Sequence, residues 1–377
     1  MIRQLNIGNF KLHSKTQLST KGLTILTGMN GMGKSTIIQS LILLRQSFLM
    51  NDLDFGMNLK GDLCDAGISG ELACQSSNEH YFNIELKFDN QNDLMFKFQY
   101  PDNIMDTLLP GIVTNITDKN ILSKYSLFND SFQYLSAFRF GPQKTYNRDT
   151  SLVVSKKQIS KVMGQCEYAI HFLEHYKNTN IPLNELAIKV DSEDSIDCRL
   201  LTQVELWLRR ISPNIKIKIE IIGEDLKLKY KFNREENIIT EDMSALNTGF
   251  GITYVLPILI SILSAKQDSI ILIENPEAHI HPKGQAILME LIAKAASLGV
   301  QIIIETHSDH IINGSLVALK NEIINPEHLA IFYFTRDDNK HIAIPHSLEI
   351  SKNGHIKRPP KGFFDQIDID LRTITGF

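Results

Sequence analysis

Residues 28–35 read GMNGMGKS and fit the pattern G-x-x-x-x-G-K-[ST] without departure. We call them the phosphate loop. In this pattern glycines let backbone N–H groups turn inward around phosphates, and the following helix directs its positive N-terminus at them. The lysine reaches the β- and γ-phosphates, and the serine hydroxyl is a Mg²⁺ ligand. The pattern predicts binding of a nucleoside triphosphate with Mg²⁺ through Asn30, Gly31, Gly33, Lys34, Ser35 and Thr36.

Two later apolar segments each end in an acid. Residues 269–273 lead to Glu274, and residues 300–304 lead to Glu305 and, two positions on, to His307. A buried strand that ends in a carboxylate opposite a phosphate loop holds Mg²⁺ or polarises the attacking water. We therefore expect Glu274 to bind the metal together with Ser35, and His307 to contact the γ-phosphate.

A second glycine-containing turn, which we call the 248–251 turn, leads into a helix and consists of Thr248, Gly249, Phe250 and Gly251. Backbone N–H groups at a helix N-terminus bind phosphate. The phosphate loop, however, already surrounds the triphosphate of its own subunit. The turn gains a ligand if it covers the nucleotide of a second copy. The sequence thus predicts a homodimer, or a higher oligomer, that encloses the nucleotide between subunits.

The elements around these residues alternate between strand and helix. Residues 22–27 form a short apolar stretch before the phosphate loop, and residues 37–49 carry apolar side chains at helical spacing after it. Residues 82–88 and 94–98 alternate apolar with polar side chains, which predicts an antiparallel hairpin. We expect an α/β fold in three parts: residues 1–144 with the phosphate loop and an antiparallel β subdomain, residues 145–240 as an inserted region of helices and a hairpin, and residues 241–377 with the 248–251 turn and both acids.

Composition places the chain among ordinary globular proteins. Its 377 residues are 43% hydrophobic and 22% charged, which excludes disordered and fibrous classes. The net charge of −4 gives no general attraction to nucleic acid. The longest apolar run, residues 254–265, contains Pro257 and is shorter than the roughly 20 residues that span a bilayer. Because there is no signal sequence and the four cysteines lack CxxC spacing, we expect a cytoplasmic protein with no membrane partner.

The set of motifs resembles the ABC-class ATPase heads of the SMC, RecF and OLD proteins. The opening IRQLNIGNFKLHSKTQLSTKGLTILTGMNGMGKST is similar to theirs, with two strands ahead of the phosphate loop. The resemblance implies an ABC-type P-loop head that binds ATP, with the 248–251 turn as a degenerate signature and His307 as the switch histidine. It also implies that Lys11 lies near the phosphates. The segment YLSAFRFGPQ resembles the Q-loop region, and the resemblance carries over Gln143, as a further residue that binds the nucleotide and Mg²⁺, and Arg139.

The C-terminal residues GHIKRPPKGFFDQIDIDL resemble the tail of a bacterial branch of OLD-like ATPases without coiled coils. Many members of that branch look like components of anti-phage defence systems. The likeness covers both ends of the chain well and residues 145–240 poorly. It implies an ATP switch that gates a separately encoded effector, such as a nuclease.

One position departs from this family with consequences for catalysis. The family has Asp-Glu at the end of the strand, where the Asp supports Mg²⁺ and the Glu is the general base, but here the pair is Glu274 and Asn275. An amide cannot accept a proton, so the usual base is missing. Glu277 and Glu305 are the nearby carboxylates that could replace it; alternatively, Glu277 orients its loop and Glu305 is a buried, hydrogen-bonded acid. We predict weak ATP turnover by the isolated protein, raised by a partner.

Three other clusters suggest chemistry that we consider less well supported. Four histidines could suggest a zinc site, but no cysteine joins them, and we set this interpretation aside for His279, His281, His307 and His310. A nuclease triad would need more chain than remains around Asp365, Asp368 and Asp370, so we favour a solvated face. A lysine-rich hairpin face either binds a phosphate backbone or protects a sheet edge, and we favour the second for Lys216, Lys218, Lys227, Lys229 and Lys231.

Two functions of different classes fit the sequence. The first is the ATP-dependent switch, and the second is a RecF-like DNA repair clamp that grips DNA with the inserted region. A metabolite kinase fits less well, because it leaves the 248–251 turn and His307 unexplained. Salt-dependent DNA affinity that is lost on neutralising Lys216, Lys218 and Lys229 would favour the clamp. A stable complex with a partner protein, without DNA, would favour the switch.

Overall fold

The computed structural model describes residues 1–89, 93–114, 119–189, 195–232, 240–360, 362–364 and 366–375. The predicted turn at residues 90–92, Asp365 and the side chain of Asp368 lie outside this description. The described strands are β1 (Ile2–Phe10), β2 (His13–Ser19), β3 (Leu23–Gly28), β4 (Gly56–Asn58), β5 (Tyr81–Phe88), β6 (Leu94–Gln99), β7 (Leu108–Thr114), β8 (Phe132–Leu135), β9 (Ile215–Ile222), β10 (Asp225–Phe232), β11 (Met243–Ser244), β12 (Ile270–Glu274), β13 (Gln301–Glu305), β14 (Leu329–Asp337), β15 (Ile342–Ser347), β16 (Glu349–Ile350) and β17 (Ile356–Lys357). The described α-helices are α1 (Lys34–Leu49), α2 (Lys119–Leu122), α3 (Ala169–Tyr176), α4 (Leu200–Ile211), α5 (Phe250–Leu263), α6 (Pro282–Ser297), α7 (Asp309–Lys320) and α8 (Gln366–Thr375).

A six-stranded sheet with the order β15-β14-β3-β13-β12-β8 holds the candidate site. Strands β14 to β8 in this order are parallel to their neighbours, and β15 is antiparallel at the edge. The apolar runs of β3 and β13 are buried because both faces of the sheet are covered. Since parallel strands end at one edge of the sheet, Gly28, Glu274 and Glu305 lie at the same edge.

The N-terminal half contributes a second, antiparallel sheet with the order β2-β1-β5-β6-β7-β4. The predicted hairpin of β5 and β6 is confirmed, with Ile84 opposite Phe96. Helix α1 lies in the core that this sheet shares with one face of the central sheet, where Leu41 belongs to the same buried cluster as Phe82 of β5 and Ile303 of β13. A helix that packs on several sides needs apolar residues around most of its circumference, as α1 has.

The middle of the chain packs on the other face of the central sheet. Trp207 of α4 is buried in one cluster with Leu256 of α5 and Leu288 of α6, and its indole Nε1 donates to the Leu186 carbonyl. The second predicted hairpin, β9 and β10, is confirmed with Leu228 opposite Ile219. The middle and last segments therefore share one core, and the three-part division of the chain stays a prediction.

The predicted α/β class with an N-terminal antiparallel β subdomain is confirmed. The apolar run around Pro257 forms α5, a helix of 14 residues. Across the described ranges, no helix combines the length and apolarity needed to cross a bilayer.

Candidate nucleotide site

The phosphate loop joins β3 to α1 and has three glycines at positive φ: Gly28 at 134°, Gly31 at 75° and Gly33 at 91°. L-residues with side chains rarely adopt these conformations. Two of the glycines are also crowded, since a Cβ on Gly28 would lie 2.5 Å from the Phe334 oxygen and one on Gly33 would lie 3.0 Å from His13 Nε2. The tip of the loop, including Asn30 and Gly31, is exposed. The loop is therefore a glycine-dependent cradle that is open to a ligand.

Lys34 and Ser35 begin α1 and provide the charged and hydroxyl groups of the cradle. The Lys34 side chain is buried, and its Nζ donates to the Met29 carbonyl at 2.7 Å. Burial lowers the pKa of the Lys34 ammonium, and the charge of Glu305 partly offsets this effect. The Ser35 hydroxyl donates to Glu305 Oε1 at 2.7 Å. Thr36 follows in the first turn of the helix.

Glu305 is a buried carboxylate with an incomplete set of hydrogen bonds. Its side chain is 5% exposed, and Oε2 has no hydrogen-bond partner among the described residues. Burial raises the pKa of Glu305 to about 7; the Ser35 hydrogen bond and Lys34 act against this shift, whereas Glu274 adds to it. A buried carboxylate with a bare oxygen is costly unless a cation or a proton donor joins it. The Ser35 hydroxyl and this carboxylate thus fit a site for Mg²⁺ and an attacking water.

Glu274, the predicted metal ligand, lies one strand further from the loop than Glu305. Both of its carboxylate oxygens accept hydrogen bonds, from the Tyr134 hydroxyl and the Ala137 N–H, each at 3.1 Å. Burial raises its pKa, and these hydrogen bonds act in the opposite direction. Because β13 lies between β3 and β12, Glu305 is the carboxylate that contacts Ser35 directly. The role of Glu274 as a metal ligand stays a prediction.

Arg139 fixes the end of the strand that carries Glu274. Its guanidinium is buried and donates to the Glu274 carbonyl at 2.6 Å and to the Asn275 carbonyl at 2.9 Å. Asn275 adopts a φ of 44°, and its N–H donates to the Glu305 carbonyl at 2.8 Å. Arg139 therefore holds the backbone around Asn275.

Glu277 holds the turn after β13, which carries His307. The Glu277 carboxylate accepts hydrogen bonds from the Thr306 hydroxyl at 2.8 Å and from the His307 N–H at 2.9 Å. The His307 imidazole interacts with Gly28 and Lys34 of the phosphate loop. Burial and the Lys34 charge lower the pKa of His307, and Glu277 and the Gly28 backbone oppose this. The structure thus brings His307 beside the loop and Glu277 behind it.

The other two residues that the resemblance implied, Lys11 and Gln143, make their contacts elsewhere. Lys11 Nζ donates to Gln39 Oε1 in the second turn of α1 at 2.6 Å. The Gln143 side chain is exposed, and its backbone N–H donates to the Tyr146 hydroxyl at 3.1 Å. In the described part of the chain, neither residue forms a hydrogen bond with the phosphate loop.

The 248–251 turn lies at the N-terminus of α5. Gly249 and Phe250 are exposed, and a side chain on Gly249 would meet little besides Ile252, 3.8 Å away. Gly251 is required for packing, since a Cβ there would lie 2.0 Å from the His279 oxygen. The Thr248 hydroxyl donates to the Ser244 carbonyl at 3.0 Å. Within the described ranges, no hydrogen bond connects this turn to the phosphate loop of the same chain.

Three lysines of the lysine-rich hairpin have acidic partners of their own. Lys218, Lys229 and Lys231 of the β9–β10 hairpin form ion pairs at 2.6–2.9 Å with Glu220 and Asp242. Among the residues the structure describes, no group of three or more His, Cys, Asp or Glu side chains lies close enough to hold a metal ion.

Sequence reasoning missed His13, which supports the phosphate loop from β2. Its ring is fully buried, with Nε2 2.9 Å from the Gly33 carbonyl and Nδ1 2.8 Å from the Thr16 hydroxyl. Burial lowers the pKa of His13 to about 4, so the ring is neutral at pH 7 and Nε2–H donates to Gly33. The contact spans 20 residues, and the sequence around His13 contains no motif that predicts it.

We expect His13 to make folding sensitive to acid. Its pKa is lower in the folded state than the ordinary value of 6.5. The contribution of His13 is therefore complete above pH 6.5 and is lost as pH falls towards 4. The loss should reach about 3 kcal/mol of the free energy of unfolding.

Urea titrations across this range should show a smaller loss for His13→Gln, whose amide still donates to Gly33. His80→Gln, at an exposed histidine, should follow the wild type, and equal pH slopes in all three proteins would contradict this role.

Comparisons with known proteins agree with this geometry. Residues 1–312 match the model of the AAA ATPase domain family, and residues 324–374 match a family described as a protein of unknown function. No curated protein matches the chain. An SMC head bound to the C-winged helix domain of ScpA is similar at 14% identity with a TM-score of 0.56, over 93% of this chain and 98% of that one.

The comparison with solved structures also found two further SMC heads. One has an extended coiled coil, is bound to the C-terminal domain of ScpA and is derived from Pyrococcus furiosus; it has 13% identity and a TM-score of 0.49, over 99% of both chains. The other is the SMC head domain from Thermotoga maritima, with 11% identity and a TM-score of 0.45, over 93% of this chain and 99% of that one.

A glycine cradle between β3 and α1, beside the two acid-terminated strands β13 and β12, defines the fold of an ABC-type P-loop ATPase head, and the predicted fold is confirmed. The chain belongs to the AAA ATPase domain family. It is therefore an ATP-binding ATPase. The closer resemblance to OLD-like ATPases stays a prediction.

Proposed function

We propose that this protein is an ATP-dependent switch in which two copies enclose ATP between the phosphate loop of one and the 248–251 turn of the other. Hydrolysis is slow and reopens the dimer. Closure gates a separately encoded effector, such as a nuclease, in anti-phage defence. The position of the 248–251 turn is the observation that supports this most: it is exposed at the N-terminus of α5 and makes no hydrogen bond to its own phosphate loop within the described residues.

The residues of this chain divide the chemistry among them. Bound Mg-ATP supplies the phosphoryl group that is transferred to water. Lys34 and the N–H groups of the phosphate loop bind the phosphates, and Ser35 would hold the Mg²⁺. When the Ser35 hydroxyl turns away from it, the Glu305 carboxylate accepts the proton of the attacking water, a role that the Asn275 amide cannot perform. Glu277 keeps His307 beside the loop.

The low turnover that we propose follows from the same contacts. Asn275 offers no proton acceptor, and both oxygens of Glu277 already accept hydrogen bonds. Of the two carboxylates that could replace the base, Glu305 remains, and burial raises its pKa, which favours the protonated form that cannot act as a base.

We propose that the effector is a partner protein, because heads of this fold can bind another polypeptide. The similar SMC head with the higher TM-score is a complex with a domain of ScpA, so a head of this fold binds another protein. The C-terminal segment that resembles OLD-like ATPases contributes the expectation of anti-phage defence. We propose that the effector of this chain is likewise a separate polypeptide.

Native mass by light scattering, with and without Mg-ATP, tests the switch. We expect a dimer, or a higher oligomer, with Mg-ATP for the wild type, and no nucleotide-dependent change for Lys34→Ala. A wild-type mass that ignores Mg-ATP would contradict an ATP-gated dimer.

The DNA clamp is less well supported, because three lysines of its candidate surface are already paired with Glu220 and Asp242. To contact DNA phosphates, these lysines would have to break their ion pairs with Glu220 and Asp242. We therefore propose measuring DNA binding by fluorescence anisotropy with a DNA duplex at 0.15 M salt. Replacing Lys216, Lys218 and Lys229 with glutamine should leave the anisotropy as it is in the wild type. A loss of binding in this variant, with a steep salt dependence, would favour the clamp.

A further inference from the structure

Three asparagines in the chain are followed directly by glycine: Asn30, Asn313 and Asn353. An asparagine in this position can lose its side-chain amide, because the backbone nitrogen of the next residue attacks the side-chain carbonyl carbon and closes a five-membered ring. Glycine favours the reaction, since it has no side chain to hinder the attack and permits the backbone conformations that the ring needs. The surroundings of each pair therefore decide where the reaction can occur.

Two of the pairs are restrained by their surroundings. Asn313 and Gly314 lie inside α7, where N–H groups are bonded to the carbonyl four residues earlier, so attack there requires the helix to open. The Gly354 N–H donates to the Ser351 carbonyl at 3.0 Å. A Cβ on Gly354 would also lie 2.6 Å from the Leu316 oxygen, so this turn packs closely against α7. In both pairs the attacking nitrogen is thus held by a hydrogen bond.

The pair in the phosphate loop lacks these restraints. Asn30 and Gly31 are both exposed, in the turn between β3 and α1. Within the described ranges, the Gly31 N–H donates no hydrogen bond to another residue. A Cβ built on Gly31 would meet no atom within 4 Å. Of the three pairs, this is therefore the one at which the nitrogen, the side-chain amide and the space for the ring are all accessible.

We propose that Asn30 is a deamidation site through which the nucleotide-free protein loses its ability to bind ATP. The Gly31 nitrogen gives up its proton and forms a bond to Asn30 Cγ. The bond between Cγ and the amide nitrogen breaks, so that ammonia leaves and a succinimide remains. Water then opens this ring to aspartate or isoaspartate. The net reaction adds water and releases ammonia, with no oxidation or reduction.

The reaction changes the phosphate loop in both charge and length. The new carboxylate is negative and lies in the cradle that binds the phosphates, so it repels them. Isoaspartate also routes the main chain through the former side chain, which lengthens the loop. Bound Mg-ATP should protect Asn30, because the N–H groups of the loop then bind phosphate oxygens and the Gly31 nitrogen is not free to attack. The inference rests on residues 28–35 as the phosphate site and stands even if the protein does not dimerise with Mg-ATP.

Peptide mapping by mass spectrometry measures the conversion of each pair during incubation at mildly alkaline pH. Without nucleotide, we expect Asn30 to convert about two- to tenfold faster than Asn353, the factor for one ordinary hydrogen bond. With Mg²⁺, a non-hydrolysable ATP analogue at about ten times its dissociation constant should slow the conversion of Asn30 about tenfold and leave Asn353 unchanged. Equal rates at the two positions, or a rate at Asn30 that ignores the bound analogue, would overturn the proposal.

Equilibrium dialysis connects the modification to ATP binding. Wild-type protein incubated without nucleotide should lose ATP-binding sites in step with the conversion of Asn30, and the control Asn353→Gln should lose them at the same rate. Asn30→Gln should keep its own starting affinity throughout, because the longer side chain would have to close a six-membered ring, which forms more slowly. Asn30→Asp should bind ATP about tenfold or more weakly than fresh wild type. Full ATP affinity after complete conversion of Asn30 would contradict the proposal.

Discussion

Glu305→Gln should reduce ATP turnover by roughly 10²–10⁴-fold, the range for loss of a general base, while ATP still drives dimer formation. Glutamine can accept the Ser35 hydrogen bond in place of the carboxylate, but it cannot accept a proton. Wild-type turnover should also rise with pH from the acid range, because the ionised form of Glu305 is the base and burial raises its pKa. Steady-state phosphate release, measured against pH, gives both results.

Glu305→Gln should lower ATP turnover but raise the free energy of unfolding. The pKa of Glu305 is higher in the folded state than its ordinary value of 4.5. Its stabilising contribution is therefore complete below pH 4.5 and is lost as pH rises through 7. Without nucleotide at pH 8, Glu305→Gln should exceed the wild type by up to about 3 kcal/mol in the free energy of unfolding.

Glu205→Gln provides the matched control for this prediction. Glu205 is also a largely buried acid whose pKa is raised by burial, but it accepts the Ile217 N–H in another part of the molecule. Its replacement should leave ATP turnover unchanged. Wild-type turnover in Glu305→Gln would show that another group is the base. Loss of ATP binding would instead assign Glu305 to the metal.

Lys34→Ala should weaken ATP binding by about 10- to 100-fold, since it removes a charge-assisted phosphate contact worth about 1.5–3 kcal/mol and leaves the cradle without its cation. Equilibrium dialysis with Mg-ATP measures the change directly.

Lys21→Ala is a control with similar chemistry, because Lys21 Nζ also donates to backbone carbonyls, those of Pro326 and Leu329, at 2.7 and 3.0 Å. It should bind ATP as the wild type does. Equal ATP affinity in Lys34→Ala and the wild type would exclude residues 28–35 as the phosphate site.

Local patterns were sufficient to predict most of the fold. The alternation in β5 and β6 and in β9 and β10 predicted both hairpins with their pairing, because one buried face fixes a strand register. The glycine-lysine-serine pattern predicted the loop between β3 and α1, since its backbone conformation depends on residues next to one another. The ends of the helices were less accurate: the helical pattern was placed at residues 37–49, and α1 runs from Lys34 to Leu49.

The candidate site was harder to predict, because its contacts depend on strand order. Sequence spacing does not reveal that β13 lies between β3 and β12. Because of this order, the Ser35 hydroxyl donates a hydrogen bond to Glu305, whereas Glu274 accepts one from the Tyr134 hydroxyl. The same reason explains why His13 was missed. The resemblance singled out Arg139 within the Q-loop region, and the structure shows that its buried guanidinium donates to backbone carbonyls.

Mixing two inactive variants tests most directly whether one ATP lies between two subunits. Lys34→Ala removes the phosphate loop cation, and Gly249→Asp places a negative charge on the 248–251 turn, where the structure has space for a side chain. Each variant alone should be inactive. After subunit exchange, the mixture should regain up to about a quarter of wild-type turnover, because half of the dimers are mixed and each mixed dimer has one intact site. Recovery would establish a shared site. An active Gly249→Asp, or a mixture that stays inactive although mixed dimers form, would contradict it.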